Sequence, residues 1–269
     1  MKRDINVVFE GSIPENYDRY LGPVLFEPFA DDIAARLKEA QPGNVLELAC
    51  GSGILTRRLR DTLSKTRLVA TDLNPGMIAY AQRKFLPSEN IEWREVDAAA
   101  LPFSDGSFDA VVCQFGLMFV PEKELAMREA YRVLREGGVF LFNVWDSMEH
   151  NRFDQIAHKT IGSFFDVDPP TFYDIPFSFY DPALIRDLLE RAGFKSIEKS
   201  RVSFPCRSKS AAKFAIGLVR GNPTSTTIEQ RGVDIDAVIG AVTREISKCC
   251  SETCADNTLQ AFVWRAVRE

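Results

Sequence analysis

The sequence predicts an α/β protein: a Rossmann-like doubly wound sheet, mostly parallel with an antiparallel last strand, with N-terminal helices and a cap inserted after the fifth strand. Three observations lead there. Between residues 43 and 146, short apolar β-branched runs alternate with helical segments, the pattern of repeated βα units. One of these runs, "VLELACGSG", leads a strand into Gly51-Ser52-Gly53, the kind of turn that holds a nucleotide at the end of a parallel strand. A last strand, "LQAFVWRAVR", follows a mostly helical stretch near the end of the chain.

The elements follow in chain order. Residues 14–40 read as helical, because Phe29, Ile33 and Leu37 recur every fourth residue. Five strands come next, "NVLELA", "RLVATD", "IEWREV", "FDAVVCQF" and "GVFLFNVW", with helices clearest at 53–63, 75–85 and 122–135. In the last of these, Ala126, Ala130, Val133 and Leu134 form one apolar face toward a sheet. "REGG" then stops the helix, with Gly137 or Gly138 in a left-handed conformation. Residues 147–180 are rich in aromatics and contain Pro169-Pro170. Asp181-Pro182 makes an N-cap and first-turn pair for a helix ending at Gly193, and "SIEKSRVSF" reads as a sixth strand. Residues 207–256 are mixed and mostly helical.

Composition narrows the function classes. The 269 residues are 45% hydrophobic and 26% charged, as in an ordinary globular protein. A net charge of −5 and a pI near 5.3 disfavour a nucleic-acid partner. "INVVF" is too short for a signal peptide and no apolar run approaches the roughly 18 residues of a membrane span, so a cytoplasmic protein is expected. Six cysteines do not suggest a disulfide framework, and Cys50 and Cys113 read as small core residues. "CCSETC" crowds Cys249, Cys250 and Cys254 together, but no fourth ligand completes a zinc set and no metal is expected. Arg57, Arg58 and Arg60 read as a solvated helix face.

The glycine turn lacks the third glycine of the dinucleotide fingerprint, since position 56 is Thr, and lacks the Gly-Lys-Ser/Thr of a P-loop. A plain strand–helix turn therefore stays open. Two carboxylates sharpen the reading. Asp72 closes the second strand nineteen residues after Gly53, where it can accept hydrogen bonds from both ribose hydroxyls. Glu47 lies inside the first strand, where its charge would repel a pyrophosphate; pairing with a local lysine or arginine is the alternative. A ligand with an adenosine half and a cationic half suits both, and S-adenosylmethionine is such a ligand.

"VLELACGSG", "VATDLNPGMIAYA", "VDAAALPFSDGSFDAVVCQFGLMFV" and "EAYRVLREGGVFLFNVW", in this order and spacing, resemble the motifs of class I S-adenosylmethionine-dependent methyltransferases. They are most similar to the small-molecule branch that includes the ubiquinone and menaquinone C-methyltransferases. The resemblance spans 40–146. It implies that Gly51 and Gly53 approach the methionine half of the cofactor, with Glu47 and Ala49 in the same motif. Asp72 becomes the ribose clamp, with Leu73 beside it, and Met77 packs against the adenine. Asp97 and Ala98 read the adenine edge, and Gln114 borders the sulfonium. Tyr17 and Tyr20 are candidates to close over the cofactor. The chain then divides into an N-terminal helical cap (1–40), a cofactor-binding core (41–146) and the remainder of the same domain (147–269), with substrate-facing insertions at 147–180 and 207–256. "LREGG" departs from relatives that carry proline before the glycines.

Methyl transfer is an in-line displacement that proximity in a dry pocket can accelerate, so no catalytic side chain is required. His150, one of two histidines, is the only candidate base, but it reads first as a surface loop residue and is not assigned as catalytic. The aromatic stretch at 164–180 suggests a small-molecule acceptor with an apolar or aromatic part, methylated on oxygen, nitrogen or carbon. A non-catalytic protein that binds S-adenosylmethionine or S-adenosylhomocysteine is the alternative, and a nicotinamide-dependent dehydrogenase a third reading. A homodimer is left open.

Overall fold

The computed structural model describes residues 8–249 and 258–269. Seven strands form one sheet in the order β3-β2-β1-β4-β5-β7-β6. They are β1 (Asn44–Leu48), β2 (Arg67–Asp72), β3 (Ile91–Glu95), β4 (Phe108–Gln114), β5 (Leu134–Trp145), β6 (Ser196–Pro205) and β7 (Thr258–Val267). The first five are joined by parallel pairings, whereas β7 runs antiparallel to both β5 and β6. The doubly wound, mostly parallel sheet with an antiparallel last strand is thus the observed fold. Strand order reverses between β1 and β4, and the carboxyl ends there open the crevice where this architecture binds ligands.

Helices α3 (Ile54–Thr62), α4 (Pro75–Gln82) and α5 (Lys123–Val133) make the crossovers of the parallel half. Each presents an apolar stripe; that of α5 buries Ala126, Met127, Ala130 and Val133. This helix stops at Val133, earlier than the sequence suggests. The chain turns at once into β5, and Gly137 (φ +75°) takes the left-handed turn inside that strand's irregular start.

After β5 come α6 (Arg152–Gly162), α7 (Pro182–Ala192), α8 (Ala211–Arg220), α9 (Thr224–Gln230) and α10 (Ile235–Cys249). Asp181 caps α7 by accepting from the Ala183 N–H at 2.9 Å, and Gly193 (φ +112°) ends it, as the Asp-Pro…Gly pattern predicts. Of the "CCSETC" cysteines, Cys249 is buried at the end of α10; Cys250 and Cys254 lie outside the described residues. Among the described residues no cluster could hold a metal ion, and no helix is long and apolar enough to cross a membrane.

The N-terminal segment differs most from expectation. A short α1 (Ile13–Asn16) passes into a ten-residue π-helix (Tyr17–Phe26), which continues as α2 (Glu27–Ala40). The Glu27 N–H bonds to the Gly22 carbonyl five residues back. Pro23, lacking an N–H, sits inside the coil. This segment lies across α8, where a Cβ on Gly217 would come within 2.7 Å of Leu21 and 2.8 Å of Tyr20. Only glycine permits that approach.

The arginine run is not a solvated face. Arg58 pairs with Glu27 and Asp31 of α2 at 2.9 and 2.7 Å, and Arg57 bridges Asp61 and Glu89. Arg60 is buried and donates to the carbonyls of Leu63, Ser64 and Thr66, closing the turn that leads into β2.

Candidate functional site

The crevice is built by strain at two strand ends. Ala49, just past β1, and Phe115, just past β4, both adopt left-handed backbone (φ +52° and +49°) that costs a non-glycine residue about 1–3 kcal/mol. Their surroundings enforce it. The Phe115 N–H donates to the Asn143 Oδ1 at 2.9 Å, and the Phe115 ring stacks on Trp145 at 3.8 Å. A Cβ on Gly116 would collide with the Cβ of Ala49 and the Sγ of Cys113, so the two strand ends meet at a glycine.

Between them the turn Gly51-Ser52-Gly53 leads into α3, with Gly51 at φ +54° and Gly53 at φ +82°. A Cβ at Gly51 would meet nothing within 4 Å, whereas at Gly53 it would press on Ala81 and Phe85. Gly51 therefore leaves its side of the turn open to a ligand, while Gly53 allows α3 and α4 to pack. The Gly51 N–H donates to the Asp72 Oδ2 at 2.8 Å, and the Asn74 N–H to Oδ1 at 2.8 Å. These bonds fix the Asp72 carboxylate at the end of β2. Burial still raises its pKa.

A small cavity of about 30 Å³ lies here, lined by Tyr17, Phe26, Glu47, Ala49, Gly51 and Gln114, with Cys50, Ser52, Ile54 and Leu55 completing its wall. Its chemistry is acidic and short of donors. Glu47 is 1% exposed, and its Oε2 has no hydrogen-bond partner. Burial pushes its carboxyl up to about 8, against the pull of the Thr56 hydroxyl and N–H, and the nearby Asp72 charge adds to the rise. No ion pair to Glu47 occurs among the described residues. Gln114 donates from Nε2 to the Phe26 carbonyl at 2.8 Å, and its buried Oε1 also lacks a partner. Two buried acceptors without donors suit a ligand that brings cationic N–H groups and does not bring a phosphate.

Tyr17 stacks on Phe26 at 4.6 Å, so the π-helix supplies the aromatic wall. Tyr20 does not join it; the Arg19 guanidinium lies 5.3 Å from its ring and its Cβ lies against α8. Leu73 is exposed, Met77 is buried on α4, Asp97 is exposed and Ala98 is half-buried beyond β3. They flank the Asp72 end of the crevice, where the Val96 N–H donates to the Asp72 carbonyl at 3.0 Å, and do not line the cavity itself. His150 is exposed in a short turn after β5, outside the cavity. Phe26 is the residue that sequence reasoning missed. Nine residues are two and a half α-helical turns, which would place it opposite Tyr17; the wider i→i+5 coil returns it to the same face.

Sheet order, a glycine turn at the strand reversal and an acidic cavity beside it define an α/β protein that binds a nucleoside-type cofactor. Residues 46–142 match the family described as "Methyltransferase domain". A demethylmenaquinone methyltransferase of Thermus thermophilus is 42% identical over 102 residues, 37% of this chain and 46% of that protein. The ubiquinone/menaquinone biosynthesis C-methyltransferase UbiE of Escherichia fergusonii is 31% identical over 168 residues, 57% of this chain and 67% of that protein. The matches thus span about half to two thirds of these relatives. Among solved structures, Haemonchus contortus phosphoethanolamine N-methyltransferase 2 in complex with S-adenosyl-L-methionine shares the fold, with a TM-score of 0.59, 19% identity, and coverage of 95% of this chain and 56% of that one. The chain belongs to the class I S-adenosylmethionine-dependent methyltransferases, and S-adenosylmethionine is its family's cofactor.

Proposed function

We propose that the protein transfers a methyl group from S-adenosylmethionine to a small molecule with a ring or other apolar part. The observation that carries this is Glu47, a buried carboxylate with an unpartnered oxygen beside an open glycine. Asp72 would hold the ribose hydroxyls, and the Gly51 backbone would approach the methionine half. Gln114 and Tyr17 would border the sulfonium. Leu73, Met77, Asp97 and Ala98 flank the place left for the adenine. When bound, the cofactor supplies an electrophilic methyl group; the chain aligns it and keeps water out.

The names of the two curated relatives point to quinone-precursor rings, acceptors that carry a hydroxyl and an apolar body. The aromatic surroundings agree with that chemistry. Phe26, Phe115, Trp145 and Phe177 form a continuous series of ring contacts from the cavity wall into the segment after β5.

Isothermal titration should give a micromolar or tighter Kd for S-adenosylhomocysteine and no measurable binding of NAD. Labelled S-adenosylmethionine offered with a panel of hydroquinones and phenols should then yield a methylated product. Cofactor binding without product from any small-molecule pool would favour the non-catalytic reading.

A further inference from the structure

Asp18, next to Tyr17 on the π-helix, lies outside the cavity and outside every motif of the sequence. Its carboxylate nevertheless joins three elements. Oδ1 accepts from the Ser52 hydroxyl at 2.8 Å and from the Lys84 ammonium at 2.5 Å, and Oδ2 accepts from the Tyr80 hydroxyl at 3.2 Å. Ser52 is the middle residue of the glycine turn and is 1% exposed; Tyr80 belongs to α4 and Lys84 lies just beyond it. The Asp18 side chain is 19% exposed, so these bonds form in a partly dry setting.

We infer that Asp18 is a positioning residue that locks the aromatic wall of Tyr17 and Phe26 onto the cofactor cradle and thereby sets the rate at which cofactor leaves. The inference rests on the cavity being the cofactor site.

The physical argument is one of connectivity. Tyr17 and Phe26 leave the cavity together when the π-helix lifts, and lifting it separates Asp18 from all three donors. Ser52 would then be left buried without an acceptor, a costly state for a hydroxyl. The same turn positions the Gly51 N–H that holds Asp72, so the chain of bonds runs from the wall through Ser52 and Gly51 to Asp72. On the far side, Gly217 and Gly221 of the α8 end back the π-helix without pinning it by any polar bond, because they contribute only close contact with Leu21, Tyr20 and Tyr17. Asp18 is the polar tie from the start of the π-helix to the glycine turn and α4, while Gln114 holds its far end through the Phe26 carbonyl.

The test is the dissociation rate of S-adenosylhomocysteine from the full chain, measured by stopped-flow displacement. Asp18→Ala should speed dissociation by about tenfold or more, with the association rate changed by less than about threefold, as for loss of charge-assisted bonds. Asp18→Asn, close in shape, should give a smaller effect in the same direction, as should Ser52→Ala and Lys84→Met. Adding Ser52→Ala to Asp18→Ala should change little, because both remove one bond. A merely structural role would not produce the salt signature: dissociation from the wild type should accelerate with ionic strength, while that from Asp18→Ala should not. Should Asp18→Ala fail to fold, Asp18→Asn and Lys84→Met carry the same readout. Unchanged dissociation in these variants, or an unchanged salt slope, overturns the inference. A wild-type protein that does not bind S-adenosylhomocysteine overturns the proposed function instead.

Discussion

Glu47 and Asp72 are both buried carboxylates, yet only Asp72 has backbone donors on both oxygens. With its carboxyl pushed up to about 8, Glu47 is largely protonated at pH 7 in the free protein. A cationic ligand would stabilise its ionised form, so binding of S-adenosylmethionine should release a proton and strengthen as pH rises toward 8. Calorimetry at pH 7 in phosphate and in Tris should therefore give different enthalpies, and Glu47→Gln should erase the difference while weakening S-adenosylmethionine binding by about tenfold. Equal enthalpies in both buffers for the wild type would separate Glu47 from the cation. Asp154, in the first turn of α6, offers a test through stability. Burial raises its carboxyl to about 7, above the usual 3.8. The folded state therefore keeps a proton that the unfolded chain has lost, and stability falls as pH rises from about 4 to about 7, by at most ~1.4 kcal/mol per pH unit. Asp154→Asn should flatten that part of the denaturation profile and raise the midpoint at pH 8; a slope equal to that of the wild type would contradict it.

At the scale of elements, what could be read from sequence depended on whether the backbone followed a regular period. The strands and α5 were legible because their apolar residues repeat at the spacing of a strand or an α-helix. The π-helix was not, because its coil changes the period, and the partnership of Tyr17 with Phe26 is invisible when 3.6 residues per turn are assumed. The left-handed backbone of Ala49 and Phe115 was hidden for a related reason: neither residue type signals a positive φ, and tertiary contacts impose it. Gly217 in α8 and Gly221 at its C-cap lie one turn apart where the helix end meets another backbone closely, a spacing that does not by itself say which backbone approaches. Gly217→Ala should force Leu21 and Tyr20 apart, lowering stability by ~1–3 kcal/mol in chemical denaturation. Because the displaced segment carries Tyr17, S-adenosylhomocysteine affinity should fall as well. Stability lost with affinity intact would mean that the wall is held independently of α8.

For the whole molecule, the βα order and the turn at Gly51 were enough to anticipate the sheet and the place of its crevice, because connection handedness leaves few topologies for such a pattern. The resemblance implied that the segments before and after the core face the crevice, but which residues would meet was not legible, since their contacts are long-range and aromatic. Phe9 meets Tyr17, Phe119 and Phe172, joining the N-terminal segment, the end of β4 and the insertion after β5. One hydrophobic cluster runs from Phe9 to Ala266 through all three regions. We propose that the caps and the core unfold as one unit, with the cofactor cavity at their junction. Thermal unfolding should then show a single transition. Saturation with S-adenosylhomocysteine at about 100 times its Kd should stabilise the native state by ~2.7 kcal/mol, raising the midpoint by roughly 5–10 °C. NAD at the same concentration should leave it unmoved. Two separated transitions, of which only one shifts with ligand, would show that the caps unfold independently, because binding to a site built by both must raise the stability of both.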